Sequence, residues 1–139
     1  MSLIARLHIE DHSNEDRGSD VLSCEFGFVQ EISSSGHPTS IVRGGTINIT
    51  VRGMDDPEIL QWMINQDSLK NGRIVFSGIT STGPGRRRRI DFRDAFLVNY
   101  QEHFTNQNDI VVHLTISARS IEVSGVMHSN LWLRGNSGD

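Results

Sequence analysis

Apolar and polar residues alternate along most of this chain, which is the pattern of β-strands that bury one face. The alternation is most regular near the end of the sequence, where five apolar residues share one phase: Ile110, Val112, Leu114, Ile116 and Ala118. The phase slips by one residue at Arg119–Ser120 and then continues to Gly125, and such a slip predicts a β-bulge. The pattern therefore predicts one long, half-buried strand over residues 110–125.

The same period of two recurs in five earlier segments. Polar stretches and stretches with Gly and Pro separate these segments and predict turns or loops, as at 11–20, 33–40 and 80–86. The tail from Met127 onward is predicted to be mobile apart from the cluster Leu131–Trp132–Leu133. The predicted strands cover residues 3–10, 21–32, 41–52, 73–79 and 87–104.

The phase of the alternation also predicts which side chains face the core. In the first strand these are Leu3, Ala5, Leu7 and Ile9. In the second strand they are Leu22, Cys24, Phe26 and Phe28. In the strand 87–104 they are Ile90, Phe92, Phe96, Val98 and Tyr100, with a bulge or a change of face at Asp94.

One helix is predicted after Asp56. This residue suits the N-cap, Pro57 suits the first helical position, and Glu58 suits the positive end of the helix dipole. The apolar stripe of the helix is expected to comprise Ile59, Leu60, Met63 and Ile64, with Trp62 beside it. Six or seven strands with one short helix predict an all-β sandwich or small barrel.

The composition fits one globular domain over residues 1–139, with its core at about 3–126 and a tail at 127–139. Hydrophobic residues make up 36% and charged residues 22% of the chain, and no run approaches the ~20 apolar residues of a membrane span. The first residues lack the pattern of a cleaved signal peptide. A single cysteine, Cys24, excludes an intramolecular disulfide and is expected to be a small buried hydrophobe.

Charge argues against general nucleic-acid binding, because the net charge is −4. Acidic residues predominate in the first half and basic residues in the second, which would favour head-to-tail packing of copies. The run Arg86, Arg87, Arg88 and Arg89 is the sharpest local feature. Without interleaved aromatic residues, it is interpreted as an interface charge patch or as arginines paired with Asp91 and Asp94.

No residue pattern indicates catalysis, a metal or a cofactor. The six histidines show no HxH spacing, and no GxSxG, GxGxxG or P-loop motif occurs. Helix capping explains the adjacent carboxylates Asp55 and Asp56 better than a paired-carboxylate site does. The chain is therefore predicted not to be an enzyme.

Several phrases, read in order, resemble the Hcp (TssD) tube proteins of type VI secretion, especially the variety of Bacteroidetes-type systems. The resemblance spans residues 3–126. The phrases that carry it are Val21–Cys24 with Phe26 and Phe28, Gln30–Glu31, Gly36–Ser40, Val42–Ile47, Asp55–Asp56, Trp62–Met63, Asp94–Val98 with Tyr100 and Glu102, Leu114–Ala118 and Ile121–Val123.

The resemblance implies a β-barrel of two packed sheets with a helix on its flank, assembling as a hexameric ring. Rings of this kind stack into a hollow tube that a contractile sheath propels, with a spike protein at the tip and small effectors inside. The protein would reside in the cytoplasm before firing and be secreted afterwards without a signal peptide. It would bind no nucleic acid and would not insert into a membrane.

The same resemblance points to residues for assembly. The loop that would contact the adjacent ring matches 33–45, and its candidate contact residues are Gly36, His37, Pro38, Ser40, Arg43, Gly44 and Gly45. The pair Gly44–Gly45 would allow close backbone approach between subunits. A row of polar side chains, Thr46, Asn48 and Thr50, would suit a sheet that faces the lumen.

Two alternatives remain open from the sequence. The nearest is a subunit of a phage tail tube or of a related contractile injection particle. The other is a monomeric β-sandwich that binds a carbohydrate or another small ligand, although Phe26, Phe28, Phe92 and Phe96 fit core phases rather than an exposed binding face.

Overall fold

A computed structural model describes residues 2–30, 32–38, 42–53, 56–65, 67–80, 83–106 and 108–130, with side chains except at 2–3, 79–80, 83–87 and 108–109. The predicted all-β class with one short helix is confirmed. The elements, in chain order, are β1 Ser2–Ile9, β2 Ser19–Phe26, β3 Thr46–Arg52, α1 Pro57–Ile64, β4 Lys70–Thr80, β5 Gly83–Thr105, β6 Asn108–Val123 and β7 Val126–Ser129.

The strands form a closed antiparallel barrel of six strands with a seventh added at one side. The hydrogen-bonded order is β3-β2-β1-β4-β5-β6-β7, and a further ladder between β3 and β6 closes the barrel. The seam between β1 and β2 is short, because only Arg6 with Asp20 and Leu7 with Ser19 are paired there. Closure removes most of the free strand edges that would otherwise template aggregation.

The interior of the barrel is lined by the apolar faces of β1, β3, β4, β5 and β6. Ile110 is exposed, contrary to its predicted phase, and the side chain of Leu3 lies outside the described residues. The other residues of the predicted phases are buried, namely Ala5, Leu7 and Ile9 in β1 and Val112, Leu114, Ile116 and Ala118 in β6. Burying such side chains stabilises a fold by about 1.5–3 kcal/mol each. Among the described residues, the largest side chains with less than 2% exposure are Phe92, Ile47, Ile74, Ile90, Leu114, Ile116 and Ile121.

The change of face predicted at Asp94 is present, and it overturns the phase predicted for Phe96 and Val98. Tyr100 packs against the core as predicted, after a register shift between Leu97 and Asn99. Asp94 has a φ of 51°, and its N–H donates to Asn71 Oδ1 at 2.9 Å. Because of this kink, Ala95 and Leu97 point into the core, whereas Val98 is half exposed. The prediction of Phe96 and Val98 as core residues is wrong, because the strand shifts phase by one residue at the kink.

Strand β6 changes face beside this kink. Ala118 and Ile121 are both buried, which confirms the predicted phase slip. The ladder with β5 nevertheless keeps one register there, from Arg93 opposite Ser120 to Ala95 opposite Ala118. The slip is thus a bend that both strands share, and the predicted bulge between them at Arg119–Ser120 is wrong.

Strand β2 is shorter than predicted and has a bulge. The register with β3 shifts between Val21 and Ser23, so Leu22 is an extra residue and its side chain is exposed. Cys24 and Phe26 pack on the core as predicted, together with Val21, whereas Phe28 lies outside it. The prediction of Leu22 and Phe28 as core residues is therefore wrong.

The predicted cap of α1 is confirmed, but the buried face of the helix differs from the predicted apolar stripe. The Asp56 carboxylate accepts from the N–H of Ile59, and Pro57 opens the helix. Ile59 and Trp62 face the core, whereas Leu60 and Ile64 are exposed, so the predicted stripe is wrong in part. The indole Nε1–H of Trp62 donates to the Ser68 carbonyl at 3.1 Å, which satisfies the polar atom of this buried ring.

Candidate assembly surfaces

Between β2 and β3 the chain leaves the barrel as an excursion over residues 27–45, here called the arm. The two legs of the arm are joined by paired backbone bonds between Val29 and Arg43, at 2.9 and 2.8 Å. Nearer the tip, Ile32 and Pro38 form a β-bridge. Ser33 closes the tip, since its N–H donates to the His37 carbonyl at 2.8 Å. The arm is thus a hydrogen-bonded projection.

The arm carries exposed apolar side chains that have no place in the barrel. Val29 is 63% and Ile32 is 66% exposed, and Phe28 and Val42 are also exposed. Isolated exposed apolar residues are ordinary, but several on one projecting segment mark a contact surface. Among the candidate contact residues, Gly36, His37, Pro38 and Arg43 lie on this exposed segment. Ser40 lies outside the described residues.

The glycine pair sits at the base of the arm and is packed within the chain. A Cβ at Gly44 would collide with the Phe28 ring, and one at Gly45 would collide with the Ala118 carbonyl oxygen. Gly45 has a φ of +92°, a conformation that favours glycine. The Asn130 side chain also bonds to the backbone N–H and carbonyl of Gly44. The close backbone approach predicted for these glycines thus occurs inside the subunit, and contact with a neighbour stays a prediction.

The polar row predicted on β3 forms part of a wider polar face. Asn48 Oδ1 accepts from Thr115 Oγ1 at 2.8 Å, and Thr50 Oγ1 lies 2.8 Å from His113 Nδ1. Thr46, the third member of the row, is exposed on the same face. These bonds cross from β3 to β6 on the side of the sheet that faces away from the core.

Neighbouring strands extend this face on both sides. In the registers of the ladders, Glu25 and Asn99 flank the pair Asn48–Thr115, while Ser23 and Gln101 flank the pair Thr50–His113. All four flanking residues are exposed. We call the set Ser23, Glu25, Asn48, Thr50, Asn99, Gln101, His113 and Thr115 the polar face.

The arginine run lies in β5, opposite β4. Arg89 pairs with Asp91, with Nε–Oδ1 at 2.8 Å and Nη2–Oδ1 at 2.7 Å, and this carboxylate raises the pKa of the guanidinium. The Arg88 guanidinium lies 5.9 Å from the centre of the Phe26 ring, a cation–π contact. The side chains of Arg86 and Arg87 lie outside the described residues. The predicted pairing with Asp91 therefore holds for Arg89.

One polar cluster was not predicted from the sequence. His12 Nε2 lies 3.0 Å from Asp56 Oδ2 and 3.0 Å from Glu58 Oε2, at the N-terminus of α1. The N–H and O–H of Ser13 donate to Glu58 at 3.1 and 3.0 Å, and these bonds lower the pKa of that carboxyl. No spacing rule joins residues so far apart in the chain, so sequence reasoning had no signal for this cluster.

The hydrogen bonds around this cluster indicate a structural role. The N–H of Asn14 donates to His12 Nδ1 at 3.0 Å, so the proton of the neutral ring lies on Nε2 and faces the two carboxylates. The three side chains are close enough to hold a metal ion. A neutral imidazole that ligates through Nε2 must carry its proton on Nδ1, however, where Asn14 already donates. We therefore assign the cluster to docking the β1–β2 connection onto the helix.

The thiol of Cys24 provides a prediction about reactivity. Burial against the core raises its pKa to about 11. Because only the thiolate is nucleophilic, iodoacetamide is expected to alkylate native Cys24 about a hundredfold more slowly at pH 8 than an unfolded control. Thiolate forms in the unfolded chain before the native one, so the contribution of Cys24 to stability is lost between pH ~9 and ~11. Equal alkylation rates in native and denatured protein would contradict this prediction.

No helix in the part of the chain that the structure describes is long and apolar enough to cross a membrane.

Sequence comparison identifies one family. The family model described as Hemolysin coregulated protein Hcp (TssD) matches residues 1–133. None of the curated proteins matches the sequence.

Solved structures give the same result. Hcp1 from Flavobacterium johnsoniae is 26% identical, with a TM-score of 0.76 over 91% of this chain and 99% of that chain. Hcp1 from the E. coli EAEC 042 pathovar is 13% identical, with a TM-score of 0.70 over 95% of this chain and 99% of that chain. The secreted protein Hcp3 from Pseudomonas aeruginosa is 16% identical, with a TM-score of 0.61 over 94% and 99%. The last two likenesses concern the fold alone.

Proposed function

The chain belongs to the Hcp (TssD) family and is a tube subunit of type VI secretion, and from this premise we propose that it forms hexameric rings stacked into a hollow tube. The arm is the observation that carries the proposal. Its exposed apolar residues project from a closed barrel, and a second copy in the adjacent ring would cover them. The candidate contact residues on it, from Gly36 to Arg43, would meet that ring.

The polar face is proposed to line the lumen. It is built from hydroxyl, amide and imidazole groups, and Glu25 is the one carboxylate in the set. A polar and nearly uncharged wall keeps water in the channel and holds no cargo tightly, which suits a conduit. Thr46, next to this set on β3, would share the same surface.

The remaining surfaces are assigned to the neighbours that a tube subunit meets. We propose that Arg88 and the other arginines of β5 contact an adjacent subunit, since a rigid guanidinium suits fixed contacts between proteins. A spike protein at the tip, a contractile sheath and small effectors are the further proposed partners. The protein is proposed to act as a structural element without catalysis, made in the cytoplasm and then secreted.

Polar substitutions on the arm test the stacking role. In the variant V29N/I32N, burial of two apolar side chains is lost at every arm, roughly 1–2 kcal/mol per copy and several-fold more per ring. Electron microscopy of concentrated protein is expected to show rings but no stacks, and secretion by the native host is expected to fall at least tenfold.

The matched control is L60N/I64N, which removes two exposed apolar side chains from the helix instead. It is expected to form rings and stacks like the unmodified protein. A chain that stays monomeric at high concentration would refute ring assembly and favour a ligand-binding β-sandwich. Normal stacking by V29N/I32N would refute the assignment of the arm.

A further inference from the structure

Two strands share one edge of β6. Strand β3 pairs along it from Val111 to Ser117, and β7 pairs along it from Ser120 to Val123. Both run antiparallel to β6, so the end of β7 meets the beginning of β3 on the same edge. The meeting point lies at Ala118–Arg119, where the Ala118 N–H donates to the Gly45 carbonyl and the Asn130 N–H donates to the Arg119 carbonyl, at 2.8 and 2.7 Å.

The side chain of Asn130 fills this meeting point. Its Nδ2 donates to the Gly44 carbonyl at 2.6 Å and to the Ala118 carbonyl at 3.0 Å. Two carbonyl partners identify that atom as nitrogen, so Oδ1 is the atom beside the Gly44 N–H at 3.4 Å and His128 Nε2 at 3.1 Å. His128 Nε2 must then carry a proton. All four bonding positions of the amide are used.

The arm leaves the sheet at this place. Beyond Ala118 the edge of β6 is occupied by β7, so the segment that precedes β3 cannot pair with β6 and must turn away. Gly45 makes the turn with its positive φ, and the Phe28 ring covers Gly44. The same ring contacts His128 edge to face, with the ring centres 5.4 Å apart. Both legs of the arm are thus held against β7.

We propose that β7 and Asn130 set the direction in which the arm projects. Strand β7 blocks the edge that β3 would otherwise follow, and Asn130 is the positioning residue that fastens the base of the arm to β6. The consequence for assembly rests on the proposed role of the arm in stacking: contact between rings depends on a C-terminal strand that does not itself project toward the next ring.

We call the contacts of β7 and Asn130 with the base of the arm the clamp. Hydrogen exchange of the backbone amides tests the clamp directly. In N130D an oxygen replaces Nδ2 and faces the two carbonyl groups, so both donated bonds become repulsive. Peptides from residues 27–45 are expected to exchange at least tenfold faster than in the unmodified full-length protein, while peptides from β1, β4 and β5 keep their rates. N106D is the matched control, since Asn106 is exposed in the β5–β6 turn, and it should leave arm exchange unchanged.

A second variant distinguishes loss of these hydrogen bonds from a defect caused by the added charge. N130A removes the same bonds without adding charge and should give the same selective increase. Unchanged arm exchange in both variants, a uniform increase throughout the barrel, or failure of both variants to fold would each overturn the proposal. Electron microscopy of the same samples should show rings without stacks for N130D. If the unmodified protein forms no stacks, the proposed function fails while the exchange result still decides the clamp.

Discussion

Replacement of Gly45 by Ala is expected to destabilise the protein by about 2–6 kcal/mol, the sum of two separate costs. A φ of +92° is strained for any residue with a Cβ, which costs roughly 1–3 kcal/mol. The added methyl group would also collide with the Ala118 carbonyl oxygen, and forcing backbone apart costs roughly another 1–3 kcal/mol. Urea denaturation at fixed protein concentration measures the effect.

Two other glycines of the arm separate these costs. Gly36 has a φ of +87°, but a Cβ there would meet nothing within 4 Å, so G36A should show the backbone strain alone. Gly27 lies in open space without a positive φ, and G27A should be neutral to within ~0.5 kcal/mol. Equal effects of G45A and G36A would show that the contact with Ala118 contributes nothing.

Truncation of Phe92 is expected to cost about 3–5 kcal/mol, since its side chain is fully buried and F92A leaves a large cavity. Phe92 lies in β5 opposite Gly72 of β4 and Ile121 of β6, so three adjacent strands fix its surroundings. Because those strands form a closed barrel, they cannot collapse far into the space that the ring leaves. Thermal and urea denaturation should both register the loss.

Phe104 provides the comparison within the same strand. It is 68% exposed, so F104A removes the same atoms without opening a cavity and should change the free energy of unfolding by less than ~0.5 kcal/mol. If F92A and F104A cost the same, burial of Phe92 would not be a source of stability.

Local signals in the sequence were sufficient to predict several elements of the fold. The cap of α1 depends on Asp56, Pro57 and Glu58, which act within one turn of helix, and the structure has them in the predicted roles. The alternation of β1 and of residues 112–118 likewise reflects burial of one face. The family resemblance also proved correct, and it supplied the tube function that no local pattern could indicate.

The C-terminal strand shows what local signals miss. Residues from Met127 onward were predicted to be mobile, but β7 forms over Val126–Ser129 and Asn130 bonds to Gly44; residues 131–139 lie outside the described part. A strand of four residues gains its stability from pairing with β6, and the segment itself carries too little alternation to reveal it. Strand β7 also explains why β3 begins at Thr46, later than predicted, since β7 occupies the edge of β6 beyond that point.

The polar face was likewise predictable only in part. Thr46, Asn48 and Thr50 do share one exposed face, because a period of two is a local property. Their partners His113 and Thr115 come from a strand far along the chain, and only the barrel closure brings them together. The same limitation hid the docking of His12 on the helix.

The ladder between β3 and β6 has a consequence for how the chain folds. The pairing of β5 with β6 begins at Thr105 opposite Asn108. These residues are close together in the chain, so the hairpin forms at little cost in loop entropy. Pairing Arg52 with Val111 instead closes a loop that contains the helix, β4 and β5. Like the β1–β4 ladder, whose pair Ile9–Gly72 spans a similar length of chain, the ladder that completes the barrel therefore costs more loop entropy than the hairpins and belongs later in folding than they do. Until it forms, the edge of β6 is open to the β3 of another chain, and domain swapping competes with closure at that step.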